Sequence, residues 1–267
     1  QYIAGQKEPV IDMPTRFVDF MRVLVPMAGD DTTPEGEQVN IYGNHVGSWN
    51  FAATAYLNRW KVKIYYEHYF DDHSQMFFQY GRWKDGHIGL EITFPKNRFI
   101  DTFVYEGLGT KDQTGPMLYD SFWGKFEEQI SAKDNYYNHY LYQGWQHWGM
   151  GIGNPLLPGP IYNKNGQITF ISNRVLAHHI GFCGSPCQSL SYRMLLSYSR
   201  HWGTYDNPLN EIKKQFNSLF EVTYAPQQLK GWSFTVSGAM DRGSILGNNY
   251  GGMLVIRKQG IIKSGNK

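Results

Sequence analysis

Hydrophobic and polar residues alternate with a period of two over long stretches of this chain. From Trp60 to Asp71, one face carries Trp60, Val62, Ile64, Tyr66, His68 and Phe70. The other carries Lys61, Lys63, Tyr65, Glu67, Tyr69 and Asp71. The same alternation runs through His87–Phe94, Leu190–Trp202 and Gly231–Asp241. Successive side chains of a strand point to opposite faces, so this period predicts half-buried β-strands. Weaker patterns extend the prediction to Arg16–Val25, Gln38–Gly43, Ser48–Asn58, Phe99–Leu108, His139–Trp148, Asn173–Phe182, Phe216–Ala225 and Tyr250–Ile262. The expectation is about twelve to thirteen strands, many of the ~9–11 residues that cross a bilayer when tilted.

Two architectures fit such a pattern. A soluble sandwich buries its apolar faces in a common core and favours strands of about 5–6 residues. A transmembrane barrel turns the apolar face to lipid, tolerates charge inside and places Tyr and Trp at both rims. Here the strands are long, their polar faces carry Lys, Glu, Arg and Asp, and Trp49, Trp60, Trp148, Trp202 and Trp232 sit near strand ends. These features predict an all-β, antiparallel transmembrane barrel occupying residues 1–267 as a single domain. Connections are expected to be short at 58–59, 95–98, 183–189 and 226–230, and long at 72–86, 109–138, 153–172 and 203–215. Stepping through the strands puts 183–189 on the long-loop side, which breaks the alternation of short and long. A further strand between 109 and 172 would restore it, around the Asn-Gly of IYNKNGQITF or within GPMLYDSFWG.

Composition narrows the function classes. The 267 residues are 16% aromatic and 18% charged, with a formal charge of +2. That balance excludes a nucleic-acid-type basic field. No apolar run approaches the ~18 residues of a spanning helix. A mean hydropathy of −0.48 suits a barrel, in which only alternate residues face lipid. The opening QYIAGQKEPV carries no signal-peptide pattern. Cys183 and Cys187 are compatible with a small disulfide loop or with two free thiols.

The stretch FDDHSQMFFQYGRW gathers ligand-type and aromatic residues where a strand runs out into a loop. Asp71, Asp72 and His73 could bind a metal only with further converging donors, and His68 is split from Asp71 by strand alternation. As a sugar-binding loop, the acids and imidazole would meet hydroxyls while Trp83 offers a stacking face. A second cluster, Asp134–Trp148, is dense in Tyr, Asn, His and Trp, and supplies Tyr140, Tyr142 and His147. Arg193, on a polar strand face, could read acidic sugar groups or brace the wall against a carboxylate. His45, Ser48 and Asn50 offer a weak hydrolase-like set, and His45 has the wrong strand parity. No nucleotide-binding loop or nucleophile elbow is present, and no cofactor is expected.

Several segments carry a family resemblance. DNYYNHYLYQGWQHWGMGIGNPLL (Asp134–Leu157), NRVLAHHIGF (Asn173–Phe182), SYRMLLSYSRHWGTYDNP (Ser191–Pro208), GNNYGGMLVIRKQGI (Gly247–Ile261) and VNIYGNHVGSWNF (Val39–Phe51) resemble the Bacteroidota branch of the Wzi-like capsule-assembly proteins. The resemblance implies an outer-membrane β-barrel of a Gram-negative bacterium and a non-enzymatic role. It implies binding of capsular polysaccharide or exopolysaccharide and aid in its attachment or assembly. The implied partners are that polysaccharide, outer-membrane lipid and other envelope proteins, not nucleic acid. It further implies that the chain corresponds to about the C-terminal two thirds of a larger barrel, lacking early strands. A porin-like channel, a structural subunit of an envelope complex and a barrel lipase are the alternatives.

Overall fold

In the computed structural model, described for residues 15–25, 27–33, 45–70, 73–76, 78, 83–97, 99–116, 131–139 and 145–260, one large antiparallel sheet dominates. Its strands are β1 (Gly47–Leu57), β2 (Trp60–Phe70), β3 (Gly86–Thr93), β4 (Thr102–Gly109), β9 (Val175–Cys187), β10 (Leu190–Gly203), β11 (Pro208–Tyr224), β12 (Trp232–Gly243) and β13 (Asn249–Lys258). They lie in chain order, each bonded to its sequence neighbour, except that β4 pairs directly with β9 across a long excursion. Within the excursion are two small ribbons, β5 (Thr114–Pro116) with β6 (Ser131–Lys133), and β7 (Gln146–His147) with β8 (Met150–Gly151). The expected strand number is thus reached only by counting these ribbons, because the large sheet has nine. Among the described residues no helix is long and apolar enough to cross a membrane. No strand pairs with the outer edges of β1 and β13 among those residues.

Several expected elements change. Arg16–Val25 is not a strand; Phe17–Leu24 forms the helix α1. FVDFMRVL satisfies helical as well as strand spacing, and Asp19 decides between them. Its carboxylate accepts the Arg16 backbone N–H at 2.9 Å, closing the first turn. His139–Trp148 contributes no strand to the large sheet: residues 140–144 lie outside the described residues, and only Gln146–His147 pairs, within β7–β8. Removing that strand restores the alternation of connections, so none needs adding. IYNKNGQITF begins within a 3-10 turn, Pro160–Tyr162, and forms no hairpin. Of GPMLYDSFWG, Gly115 and Pro116 belong to β5 and the rest falls outside the described residues, as does Gln38–Gly43. The expected long loop 203–215 is mostly strand, since β11 begins at Pro208. Both faces are polar there, which hides the alternation. Cys183 and Cys187 are free thiols four residues apart on β9, about 13 Å along a regular strand and beyond disulfide reach.

The two faces of the sheet differ in chemistry. One row of register partners reads Tyr65, Gly89, Glu106, His179, Ser197, Asn217 and Asp241 across seven strands. Within it Tyr65 Oη donates to Glu106, Ser197 Oγ lies 2.7 Å from His179 Nδ1, and Asn217 donates to Asp241 at 2.7 Å. Neighbouring rows on the same face hold Lys61–Glu91 at 3.5 Å, and His87 between Glu67 (3.6 Å) and Glu106 (3.5 Å). The opposite face carries Trp49, Phe51, Ile64, Ile88, Ile180, Phe220, Val236, Leu254 and Ile256, all exposed. Each large apolar side chain left in water forgoes about 1.5–3 kcal/mol of burial free energy.

The buried core lies on the polar face. Tyr137, Leu157 and Phe170, all from the excursion, pack with Val175 and Ala177 of β9, with Leu108 and Tyr69 beside them. Leu108, Ala177 and His87 are register partners, so this packing covers the polar side at the long-loop end. A soluble sheet covers its apolar face; this one mainly covers the other, and the helix α2 (His73–Met76) reaches only the long-loop end of the apolar face at β1 and β2.

Candidate functional site

The excursion folds around a buried carboxylate. Asp85, just before β3, accepts the backbone N–H groups of Asp112 (2.9 Å) and Gln113 (2.6 Å) and the Tyr136 hydroxyl (2.8 Å). Burial pushes its pKa above the usual carboxylate value, against the pull of these three donors. Gln113, at a left-handed φ of 45°, donates its side-chain amide to the Asn173 carbonyl at 2.9 Å. Asn173 in turn donates to Asn135 Oδ1 (2.6 Å) and the Tyr136 carbonyl (2.7 Å). Asn138 donates to Asn135 Oδ1 (2.9 Å) and the Phe170 carbonyl (2.8 Å), and its own Oδ1 accepts the Phe170 N–H (2.9 Å). The chain of amides pins residues 135–138 to 170–173.

These residues form one wall of a cleft of ≈ 780 Å³. Its polar lining is Asn135, Asn138, His139, Asn165, Gln167, Thr169, Thr204 and Asn207, with Phe170, Ile171 and Leu209 as apolar patches. The β10–β11 turn closes the far side, where Thr204 Oγ1 accepts the Asn207 N–H at 2.9 Å. None of the lining side chains is charged at neutral pH, because burial pulls the His139 pKa down to about 4. Fixed amides and hydroxyls around small apolar patches suit a neutral, hydroxyl-rich ligand. Among the described residues no group of three or more His, Cys, Asp or Glu converges as a metal site would need.

The expected site residues are not gathered here. Asp71, Asp72, Tyr140 and Tyr142 lie outside the described residues. His73 opens the short helix α2 (His73–Met76), which packs on the other side of β2. There the Gln75 carbonyl meets His68 Nε2 at 2.7 Å and the Met76 carbonyl accepts Trp49 Nε1 at 2.9 Å. Trp83 is 74% exposed, and its carbonyl accepts the Tyr66 hydroxyl at 3.2 Å. His147 is exposed beside Trp148, ring centroids 6.2 Å apart. Arg193 stands near the short-turn end, paired with Glu221 at 2.9 Å. Ten residues of β10 separate it from Gly203, ~33 Å along the strand. Asn50 Nδ2 donates to Ser48 Oγ at 3.2 Å on a shared face, as strand parity predicts. The lining residues lie in the Asn-rich run 135–139 and in NKNGQIT, segments whose amide density is visible in the sequence. Their convergence with Thr204 and Asn207 is not, because it depends on the excursion folding back over the sheet.

No family model, curated protein or solved structure matches the chain.

Proposed function

We propose that the chain is wall and external cap of an outer-membrane β-barrel, of the Wzi-like capsule-assembly kind, that binds surface polysaccharide without catalysis. The observation that carries the reading is the inversion of the sheet: its apolar face is bare except where α2 lies on the end of β1 and β2, and its polar face bears the cap. That is the arrangement of a barrel with lipid outside and a filled polar lumen. On this reading the short turns face the periplasm and the excursion faces outward. The free edges of β1 and β13 are then joined by further strands, since unpaired backbone in lipid costs several kcal/mol per group. The amide-lined cleft supplies a place for a glycan segment, and the loop bearing Asp72 and Trp83 a second one.

The test compares capsule retained on cells expressing Asn138→Ala/Gln167→Ala, Asp72→Ala/Trp83→Ala or the unaltered chain, at matched surface levels. A marked loss for the first pair is expected. Full retention by both pairs refutes polysaccharide binding at either place. A porin reading is favoured by the charged polar face and opposed by the cap that covers one end of it. Large, steady conductance in planar bilayers would establish the channel instead.

A further inference from the structure

Every acidic residue in the paired register of the large sheet lies on its polar face: Glu67, Glu91, Glu106, Glu221 and Asp241. Among the paired residues the apolar face carries cations at its ends and no carboxylate. At the long-loop end these are Arg200, Lys214 and Arg242. Arg200 and Lys214 are direct register partners, and Arg242 stands opposite Phe216, two residues along β11 from Lys214. Direct cross-strand partners have Cβ atoms about 4.5–5.5 Å apart and diagonal ones about 7–8 Å; Lys214 thus stands between two arginines whose backbones are about 12 Å apart, within reach of their long side chains. Lys214 and Arg242 are exposed, and Arg200 lies over the Trp202 ring, 5.3 Å from its centroid. Among the described residues no carboxylate pairs with any of the three. Of the acids near them in sequence, Asp241 accepts Asn217 on the polar face, Asp206 accepts Asn135 at 3.3 Å in the β10–β11 turn, and Glu211 is exposed and makes no ion pair with them.

Like charges placed directly opposite each other in a sheet repel. They are kept here at the border between the apolar band, represented by Tyr198 and Phe216 one row below, and the aqueous end. A phosphate group held between two guanidinium groups and an ammonium would relieve that repulsion. We propose that Arg200, Lys214 and Arg242 form a site for the phosphate groups of a lipid in the outer leaflet. The proposal rests on the membrane reading above, which places this end of the apolar face at the external lipid headgroups. The headgroup phosphate docks on the bases while the acyl chains lie along the apolar face beneath.

The experiment uses the full chain purified in detergent and lipid A carrying both phosphates, with retained lipid counted by native mass spectrometry. Arg200→Gln/Lys214→Gln/Arg242→Gln is expected to lose at least tenfold in retention. Dephosphorylated lipid A should bind the unaltered chain as weakly. Lys258→Gln, at the short-turn end of the same face, should change nothing. Arg200→Lys/Arg242→Lys keeps every charge and should retain lipid within a few-fold, which separates the site from misfolding. Equal retention by the triple glutamine variant overturns the proposal. So does full displacement by millimolar inorganic phosphate, which would assign the site to a free anion. Insertion is scored separately, by quenching of tryptophan fluorescence in vesicles of brominated phosphatidylcholine. Quenching with unchanged lipid A retention defeats the phosphate site alone; no quenching defeats the membrane reading beneath it.

Discussion

The Asp85 carboxylate and the Tyr136 hydroxyl meet at 2.8 Å across 51 residues of sequence. The contact ties the loop before β3 to the excursion that follows β4. Because the same carboxylate also accepts two backbone N–H groups, one side chain fixes the path of residues 112–113 and 136 together. The amide cleft is built on that anchor.

Replacing Asp85 with Asn therefore removes more than a charge. The amide presents an N–H₂ to one of three donors, leaving a buried group unsatisfied at a cost of about 1–3 kcal/mol. Tyr136→Phe leaves the carboxylate two partners and should cost about 1.5–3 kcal/mol, the usual worth of a hydrogen bond to a charged group. In both variants limited proteolysis should cut within 110–174 at rates well above the unaltered chain. The sheet should keep its circular-dichroism signal. Unchanged cleavage would mean that the excursion is held mainly by the Tyr137, Leu157 and Phe170 packing.

A second expectation concerns the two faces of β2. Ile64 is exposed on the apolar face, while its neighbour Lys63 lies on the polar one, opposite Glu91 in register. Spin labels at 62 and 63 in a reconstituted bilayer should report high oxygen accessibility at the first and low at the second. Ile64→Lys should cost about 2–4 kcal/mol near the bilayer midplane. Equal accessibility at 62 and 63 would contradict lipid on the apolar side.

The nine strands of the large sheet were legible because one rule governs most of their length. A side chain that faces the bare surface must be apolar and its neighbour must be able to pair. β2, β3, β10 and β12 follow it almost without exception. The rule fails where both faces become polar, which is why Pro208–Gln215 reads as loop and yet extends β11. It also fails in the excursion, where order comes from Asp85, Asn138 and Asn173 bonding to backbone groups far away in sequence and from Asn135 bonding to the side chains of Asn173 and Asp206. Such contacts leave no period. The acid–aromatic stretch 70–83 attracts attention through its residue types, whereas the cleft draws on amides from three separate segments, each ordinary alone. Arg193 illustrates the same limit: its strand and face follow from alternation, but its partner Glu221 emerges only from the register of β10 with β11.

A half-buried imidazole stands in the cleft wall. His139 sits in the cap with its pKa pulled down by burial to about 4, from an ordinary value near 6.5. Between those values the unfolded chain binds the proton and the folded cap does not. Stability of the cap is therefore full above about pH 6.5 and falls as pH drops toward 4, the sign expected for a base buried neutral. Asp85 acts in the opposite direction. Its raised pKa means that the folded cap takes up a proton more readily than the unfolded chain, so acidification relieves part of the cost of burying that carboxylate. The two effects are separated by substitution. His139→Gln keeps a neutral polar side chain in the cleft and removes the imidazole titration. Its proteolytic protection should decline less between pH 6.5 and 4.5 than that of the unaltered chain. Parallel declines in the two proteins would show that His139 takes its proton without opening the cap, and the acid response would then belong to other groups of the cap.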